Sequence, residues 1–166
     1  MTFRVEPLDD QDLAAFDSGT VELDDWLRLH ARTATGQGTR TYVLVDDDDL
    51  VVGYFAIAPH LLGRDDAPSR LARGAPEQIP AILLAKLALD SSLQGQGLGA
   101  ELLIAALEVV VTAARSAGGR VVLVDAIDDV ARTFYEHHDL ELLPGKTHRL
   151  IMKLSTAARA MGVRWP

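Results

Sequence analysis

The sequence predicts a mixed α/β fold, a central β-sheet flanked by helices, and three observations carry that prediction. Strand-like apolar runs alternate with helical patterns along most of the chain. One apolar run, Ile82-Leu83-Leu84-Ala85-Lys86-Leu87-Ala88-Leu89, leads through a glycine-rich turn, Gln94-Gly95-Gln96-Gly97-Leu98-Gly99, into a helical run that starts at Ala100. The 166 residues, 48% of them apolar, suffice for one domain with a buried core, so residues 1–166 are expected to form a single domain.

Taken in order, residues 8–16 and 21–31 read as two helices, the second with Leu23, Trp26, Leu27 and His30 at helical spacing. Residues 41–45 and 51–58 read as strands joined by Asp46-Asp47-Asp48-Asp49, a hairpin turn. Consecutive aspartates lack the spaced ligands of a calcium loop, so this turn is read as solvated and no metal site is expected. Residues 59–80 carry Pro59, Pro68, Pro76 and Pro80 and read as one long irregular loop. The strand ending at Leu89 follows, then the turn and a helix that closes at Gly118-Gly119. Residues 121–126 read as a buried strand, 130–137 as a helix, and 140–143 with 148–154 as a final strand pair.

Composition narrows the chemistry. Cysteine is absent, which excludes disulfides, thiolate metal ligands and a cysteine nucleophile. The chain has neither a basic, apolar, cleavable start nor an apolar run of membrane-spanning length, so a cytoplasmic protein that does not engage membranes is expected. Residues 1–50 hold twelve acids and four bases, while residues 51–166 are balanced, so the whole net charge of −8 lies in the first third. Bases gather elsewhere: Lys146, Arg149, Lys153, Arg159 and Arg164 near the end, and Arg64, Arg70 and Arg73 in the proline-rich segment. Such runs either solvate a face or track a phosphate backbone.

The glycine-rich turn is the most informative segment. Backbone N–H groups at a strand-to-helix turn lack partners, and the helix N-terminus favours an anion, so the turn is either a phosphate cradle or a plain connection. It lacks the Gly-Lys-Ser/Thr ending of a nucleotide P-loop and the Gly-x-Gly-x-x-Gly order of dinucleotide folds.

What the turn does resemble is the Gln/Arg-x-x-Gly-x-Gly/Ala signature of the GNAT superfamily of N-acetyltransferases, with Gln94, Gly97 and Gly99 at the signature positions. A second match follows, since Val124-Asp125-Ala126-Ile127-Asp128-Asp129-Val130-Ala131-Arg132-Thr133-Phe134-Tyr135 is similar to the strand and helix that carry the superfamily's Ala-x-x-Phe-Tyr element. The resemblance implies a sheet with two splayed central strands that admit acetyl-CoA. It places the cofactor on Leu87, Ala88 and Leu89, on Gln94, Gly95, Gln96, Gly97, Leu98, Gly99 and Ala100, and on Phe134. Tyr135 is the candidate catalytic acid, because a tyrosine is protonated at neutral pH and can donate to a departing thiolate. Its alternative role is core packing with Phe134.

Further matches, Phe16-Asp17-Ser18-Gly19, Leu23-Asp24-Asp25-Trp26-Leu27, Thr39-Arg40-Thr41-Tyr42-Val43, Gly53-Tyr54-Phe55, Ile79-Pro80 and Leu84 through Asp90, resemble the GNAT toxins of type II toxin-antitoxin modules. That resemblance implies acetylation of the α-amine of aminoacyl-tRNA, a block of translation, a homodimer and a ribbon-helix-helix antitoxin. Lys86, Arg40 and Arg149 are the candidate substrate contacts. The chain departs from the toxin pattern at Lys86, where an arginine is usual, and after His138, where a glycine is usual. An α-amine of pKa near ~7.7 needs little help to deprotonate, which suits a chain with no obvious general base. Alternative acceptors are a small amine or a protein N-terminus, and a non-catalytic CoA-binding module is the alternative outside enzymes.

Overall fold

The structure, a computed structural model, describes residues 2–166. Strand β1 (Arg4–Pro7) opens the chain, and helices α1 (Val21–Asp25) and α2 (Ala31–Thr35) follow, joined by one π turn, Trp26–His30. Next come β2 (Arg40–Val45), β3 (Val51–Gly63), the short helix α3 (Ser69–Ala72), β4 (Gln78–Leu89) and the long helix α4 (Leu98–Ala117). Strand β5 (Val121–Asp125), helix α5 (Asp129–His137), β6 (Glu141–Leu142), β7 (Arg149–Lys153) and α6 (Leu154–Ala160) complete it. The seven strands form one mixed sheet in the order β1-β2-β3-β4-β5-β7-β6, the α/β architecture expected from the sequence. Two compact units divide the chain, one running to Ala58 and including Lys86–Ala106, the other made of Pro59–Ala85 and Leu107–Pro166.

In the first unit, β1, β2 and β3 pair antiparallel, Arg4 opposite Val45 and Arg40 opposite Ile57. The four-aspartate hairpin forms as expected: the Asp46 carboxylate accepts from the N–H groups of Asp48 and Leu50, and Asp49 takes the left-handed conformation at φ 60°. The helix expected over residues 8–16 is absent. Side chains there capture the backbone instead, the Asp9 N–H donating to Gln11 and the Ala14 N–H to Asp12. Arg32 then binds the Asp9 and Gln11 carbonyls, which a helix would have used. The helical pattern over 21–31 is real and runs on to Thr35, with a change of phase. An extra residue in the π turn lets the Ala31 N–H bond the Trp26 carbonyl, so Ala31 is buried beside Leu27 and His30 is left exposed.

Tyr54 anchors this unit's core. Its ring meets Phe16 edge-on at 5.7 Å and stacks on Trp26 at 6.0 Å, and its hydroxyl donates to the Leu23 carbonyl at 2.6 Å. Burial, with Asp24 nearby, holds the Tyr54 pKa well above the usual tyrosine range. Asp24 is itself only 5% exposed and accepts from both the N–H and the hydroxyl of Ser18. Asp24→Ala would leave the Ser18 N–H unpaired and its hydroxyl only the Thr20 carbonyl at 3.3 Å, so it is expected to cost about 2 kcal/mol of stability in urea denaturation. Asp24→Asn, which keeps one acceptor oxygen, should cost less.

In the second unit, β4 and β5 run parallel from Ala81 opposite Val121 to Leu84 opposite Val124, and there the ladder stops while β4 continues to Leu89. The resemblance implies that the central strands part, and the pairing of β4 with β5 ends at Leu84 and Val124. On the other edge of β5, β7 pairs antiparallel, and β6 closes the sheet. Leu62, Leu71, Ile79, Val121, Leu123 and Ile151 are among the buried residues of the core here. The proline-rich segment is shorter than expected: β3 carries on through Pro59 to Gly63, and β4 begins before Pro80. Neither proline interrupts the ladders described. The pairing with β2 has ended at Ile57, and Pro80 only has to offer its carbonyl, to the Arg120 N–H at 2.8 Å. The basic end of the chain contains α6, not anticipated, which buries Leu154, Ala157 and Ala158.

Candidate functional site

In the first unit, β4 ends at Leu89, and Asp90 turns the chain by capping the single turn Ser91–Leu93. The Asp90 carboxylate accepts from the N–H and hydroxyl of Ser92 and from the Asp17 N–H. Burial pushes its pKa upward, but the hydrogen bonds from Ser92 and Asp17 outweigh that and hold it below the usual carboxylate value. Because the folded pKa is lowered, this stabilisation is present above the unfolded value, near 3.8, and is lost as pH falls through the folded one. Asp90→Asn is therefore expected to flatten the acid side of the stability-versus-pH curve, read as melting temperature between pH 5 and pH 2.

Gln94 shapes the turn from inside. Its Nε2 donates to the Leu89 carbonyl and to the Ser18 carbonyl, each at 2.8 Å, which ties the loop to the strand end before it. The side-chain donors are thereby occupied, so Gln94 holds the turn in place and offers no free N–H of its own. Beyond it, Gly95 and Gly97 lie in the left-handed region at φ 78° and 81°. A Cβ at either would meet nothing within 4 Å, so backbone conformation alone demands glycine there. No protein group accepts from the N–H of Gly95, Gln96 or Gly97 among the described residues. The first-turn N–H groups of α4, at Leu98, Gly99 and Ala100, have no helical partner by construction. A row of free donors at the positive end of a 20-residue helix suits a pyrophosphate.

Leu87, Ala88 and Leu89 form the last turn-ward stretch of β4, with Ala88 and Leu89 buried. Gly53 packs so closely on it that a Cβ there would sit 3.3 Å from the Ala88 carbonyl. Lys86 lies over the Trp26 ring, 5.7 Å from its centre. Arg40 is exposed at the start of β2 and donates to the Thr35 and Thr39 carbonyls.

The second unit carries the tyrosine. Asp128 caps α5 by accepting from the Ala131 N–H at 2.8 Å, and that start fixes which residues of the helix face inward. Tyr135 does, at 4% exposure, with Phe134 edge-on to it at 5.3 Å. Burial first, and the Asp125 charge second, hold the Tyr135 pKa far above the usual tyrosine value. The hydroxyl therefore stays protonated across the physiological range. At the end of the helix Asp139 adopts φ 69°, so an aspartate takes the left-handed position where the resemblance expects glycine.

A cluster not foreseen lies at the end of β5. Arg149, opposite Asp125 in the β5–β7 register, grips its carboxylate through Nε and Nη2 at 2.7 and 2.9 Å. Its Nη1 donates to Nε2 of His60 at 3.2 Å, which leaves the His60 proton on Nδ1. Arg149, read from the sequence as a substrate contact, thus has its fork engaged within the protein. Asp125 and Arg149 are 24 residues apart and meet through the β5–β7 register, while His60, 89 residues from Arg149, reaches them from β3.

Among the described residues there is no cluster of metal-ligating side chains and no helix long and apolar enough to cross a membrane. The sequence model of the acetyltransferase (GNAT) family matches residues 8–139. The chain belongs to the GNAT acetyltransferase family. This GNAT chain is 40% identical over 154 residues to the tRNA-acetylating toxin of Mycobacterium tuberculosis, an alignment covering 93% of each. Among solved structures it is similar to AtaT complexed with acetyl-methionyl-tRNA, with TM-score 0.86, 29% identity, and 96% of this chain and 99% of that one covered. It is also similar to a tyrosine-to-phenylalanine AtaT toxin bound to acetyl-CoA and the C-terminus of the antitoxin AtaR, with TM-score 0.82, 28% identity, and coverage of 98% and 99%. GNAT enzymes use acetyl-CoA, and the free backbone donors at the start of α4 fit its pyrophosphate.

Proposed function

We propose that this GNAT enzyme transfers acetyl from acetyl-CoA to the α-amine of aminoacyl-tRNA and thereby acts as a translation-blocking toxin in the cytoplasm. The observation that carries the reading is the 40% identity, over nearly its whole length, to a tRNA-acetylating toxin. Acetyl-CoA supplies an activated acetyl group whose C–S bond breaks as the C–N bond to the amine forms. In this reading the N–H groups from Gly95 to Ala100 hold its pyrophosphate, and Gln94 keeps them in place through the Ser18 and Leu89 carbonyls. A backbone N–H near Ala88 or Leu89 meets the negative charge developing on the carbonyl oxygen. The Tyr135 hydroxyl gives its proton to the departing sulfur, and the proton that the amine nitrogen loses on becoming an amide restores it. Arg149 and Asp125 act by orientation: their ion pair fixes the start of β7 against the end of β5, and the Asp125 charge adds to burial in disfavouring ionised Tyr135.

The acceptor is read as an α-amine because it is substantially neutral at pH 7 without a strong base. Residues 1–166 work as a single GNAT domain, paired as a homodimer, and a ribbon-helix-helix antitoxin neutralises the toxin. Ionic strength tests the acceptor. Acetylation of bulk charged tRNA should weaken steeply as salt rises, whereas transfer to a small amine would be nearly indifferent. A flat salt response with tRNA would favour the small-amine reading.

A further inference from the structure

A cavity of about 310 Å³ opens in the second unit where β4 and β5 begin and β7 ends. Its walls include Arg70, Arg73, Arg120 and Lys153, together with the hydroxyl residue Ser155 and the indole of Trp165, and no carboxylate lines it. Strand register builds this convergence from distant segments. The Arg120 N–H bonds the Pro80 carbonyl, Val121 pairs with Lys153, and the Leu154 N–H bonds the Arg120 carbonyl. Arg70 is paired with Glu141, but Arg73, Arg120 and Lys153 have no carboxylate partner among the described residues. The cavity also lies apart from the cluster around Asp125. Val121 and Asp125 stand at opposite ends of β5, about 13 Å apart along the strand.

Cations drawn together without counter-charge repel one another, and an anion seated among them relieves that repulsion. Arginine forks match phosphate oxygens two at a time, and a tryptophan wall offers a flat face on which a base can stack. The volume lies at the lower end of the range for small-molecule sites, enough for a nucleotide. We infer that this cavity, whose lining shares no residue with the glycine-rich turn, binds a nucleoside phosphate, free or as one unit of an RNA strand. It does not depend on the acceptor proposed above.

The test is calorimetric titration of the full chain, first saturated with CoA so that its own nucleotide site is filled. The probes are inorganic phosphate, adenosine monophosphate and a short single-stranded oligoribonucleotide, and the indole N–H resonance of Trp165 is followed in parallel. Saturable binding of the mononucleotide that shifts that resonance supports the site and names a free nucleotide as its ligand. Binding of the oligonucleotide alone, with steep salt dependence, supports it and names an RNA strand. Affinity should fall about tenfold in Arg120→Gln, in Lys153→Gln and in Trp165→Leu, with CoA binding unchanged as proof of folding. Binding of none of the probes, affinity in the three variants unchanged from the parent protein, or phosphate bound as tightly as the mononucleotide would overturn the inference.

Discussion

Tyr135→Phe is expected to slow acetyl transfer by about 10²–10⁴-fold, the range for loss of a positioned general acid, and to leave acetyl-CoA affinity within about twofold. In free energy that is roughly 3–5 kcal/mol of barrier for one hydroxyl. The ring is buried, and phenylalanine keeps its packing against Phe134, so melting temperature should scarcely move. Equal losses in turnover and cofactor binding would instead assign Tyr135 to packing. The raised pKa adds a second signature. Burial and Asp125 keep the hydroxyl protonated well above neutral pH, so no loss of turnover between pH 7 and pH 9 should trace to its ionisation.

Gly97→Val carries the other large effect. A β-branched residue at φ 81° strains the backbone by about 1–2 kcal/mol and disturbs the run of free N–H groups. Acetyl-CoA affinity should fall at least about tenfold, with a melting temperature lower by roughly 5 °C. Gly145→Val is the control. That glycine has φ 74° and equal open space around it, in the turn between β6 and β7, so its substitution should cost similar stability and leave cofactor affinity intact. If both variants lose affinity alike, destabilisation rather than the cradle explains the result.

The parts of the fold legible in the sequence were those where local pattern and tertiary environment agree. The strand into Leu89, the turn, the helix to Ala117 and its Gly118-Gly119 ending each carry their own signal. Elements set by partners were not legible. Strand β1 is four mostly exposed residues held by its pairing with β2 and by Arg4 on the aspartate turn, and α6 follows β7 without any helix cap donated by a side chain. Pro59 and Pro80 read as breakers because sequence cannot reveal that their missing N–H groups fall where the ladders described do not need them. The π turn defeats periodicity directly, exchanging His30 for Ala31 on the buried face. At the candidate site the pattern was the same. Gly97 and Tyr135 carry motif signals, whereas Asp125 meets Arg149 only through strand register, His60 joins them from β3, and Ser18 meets Gln94 across 76 residues.

The most direct measurement is transfer of labelled acetyl from acetyl-CoA to a bulk charged-tRNA pool, with the acceptors sequenced and the label located chemically. The account predicts label on the α-amine of the aminoacyl group, formed by the intact protein and nearly absent with Tyr135→Phe. Acetyl-CoA binding without label on any aminoacyl end, or label independent of Tyr135, would contradict it.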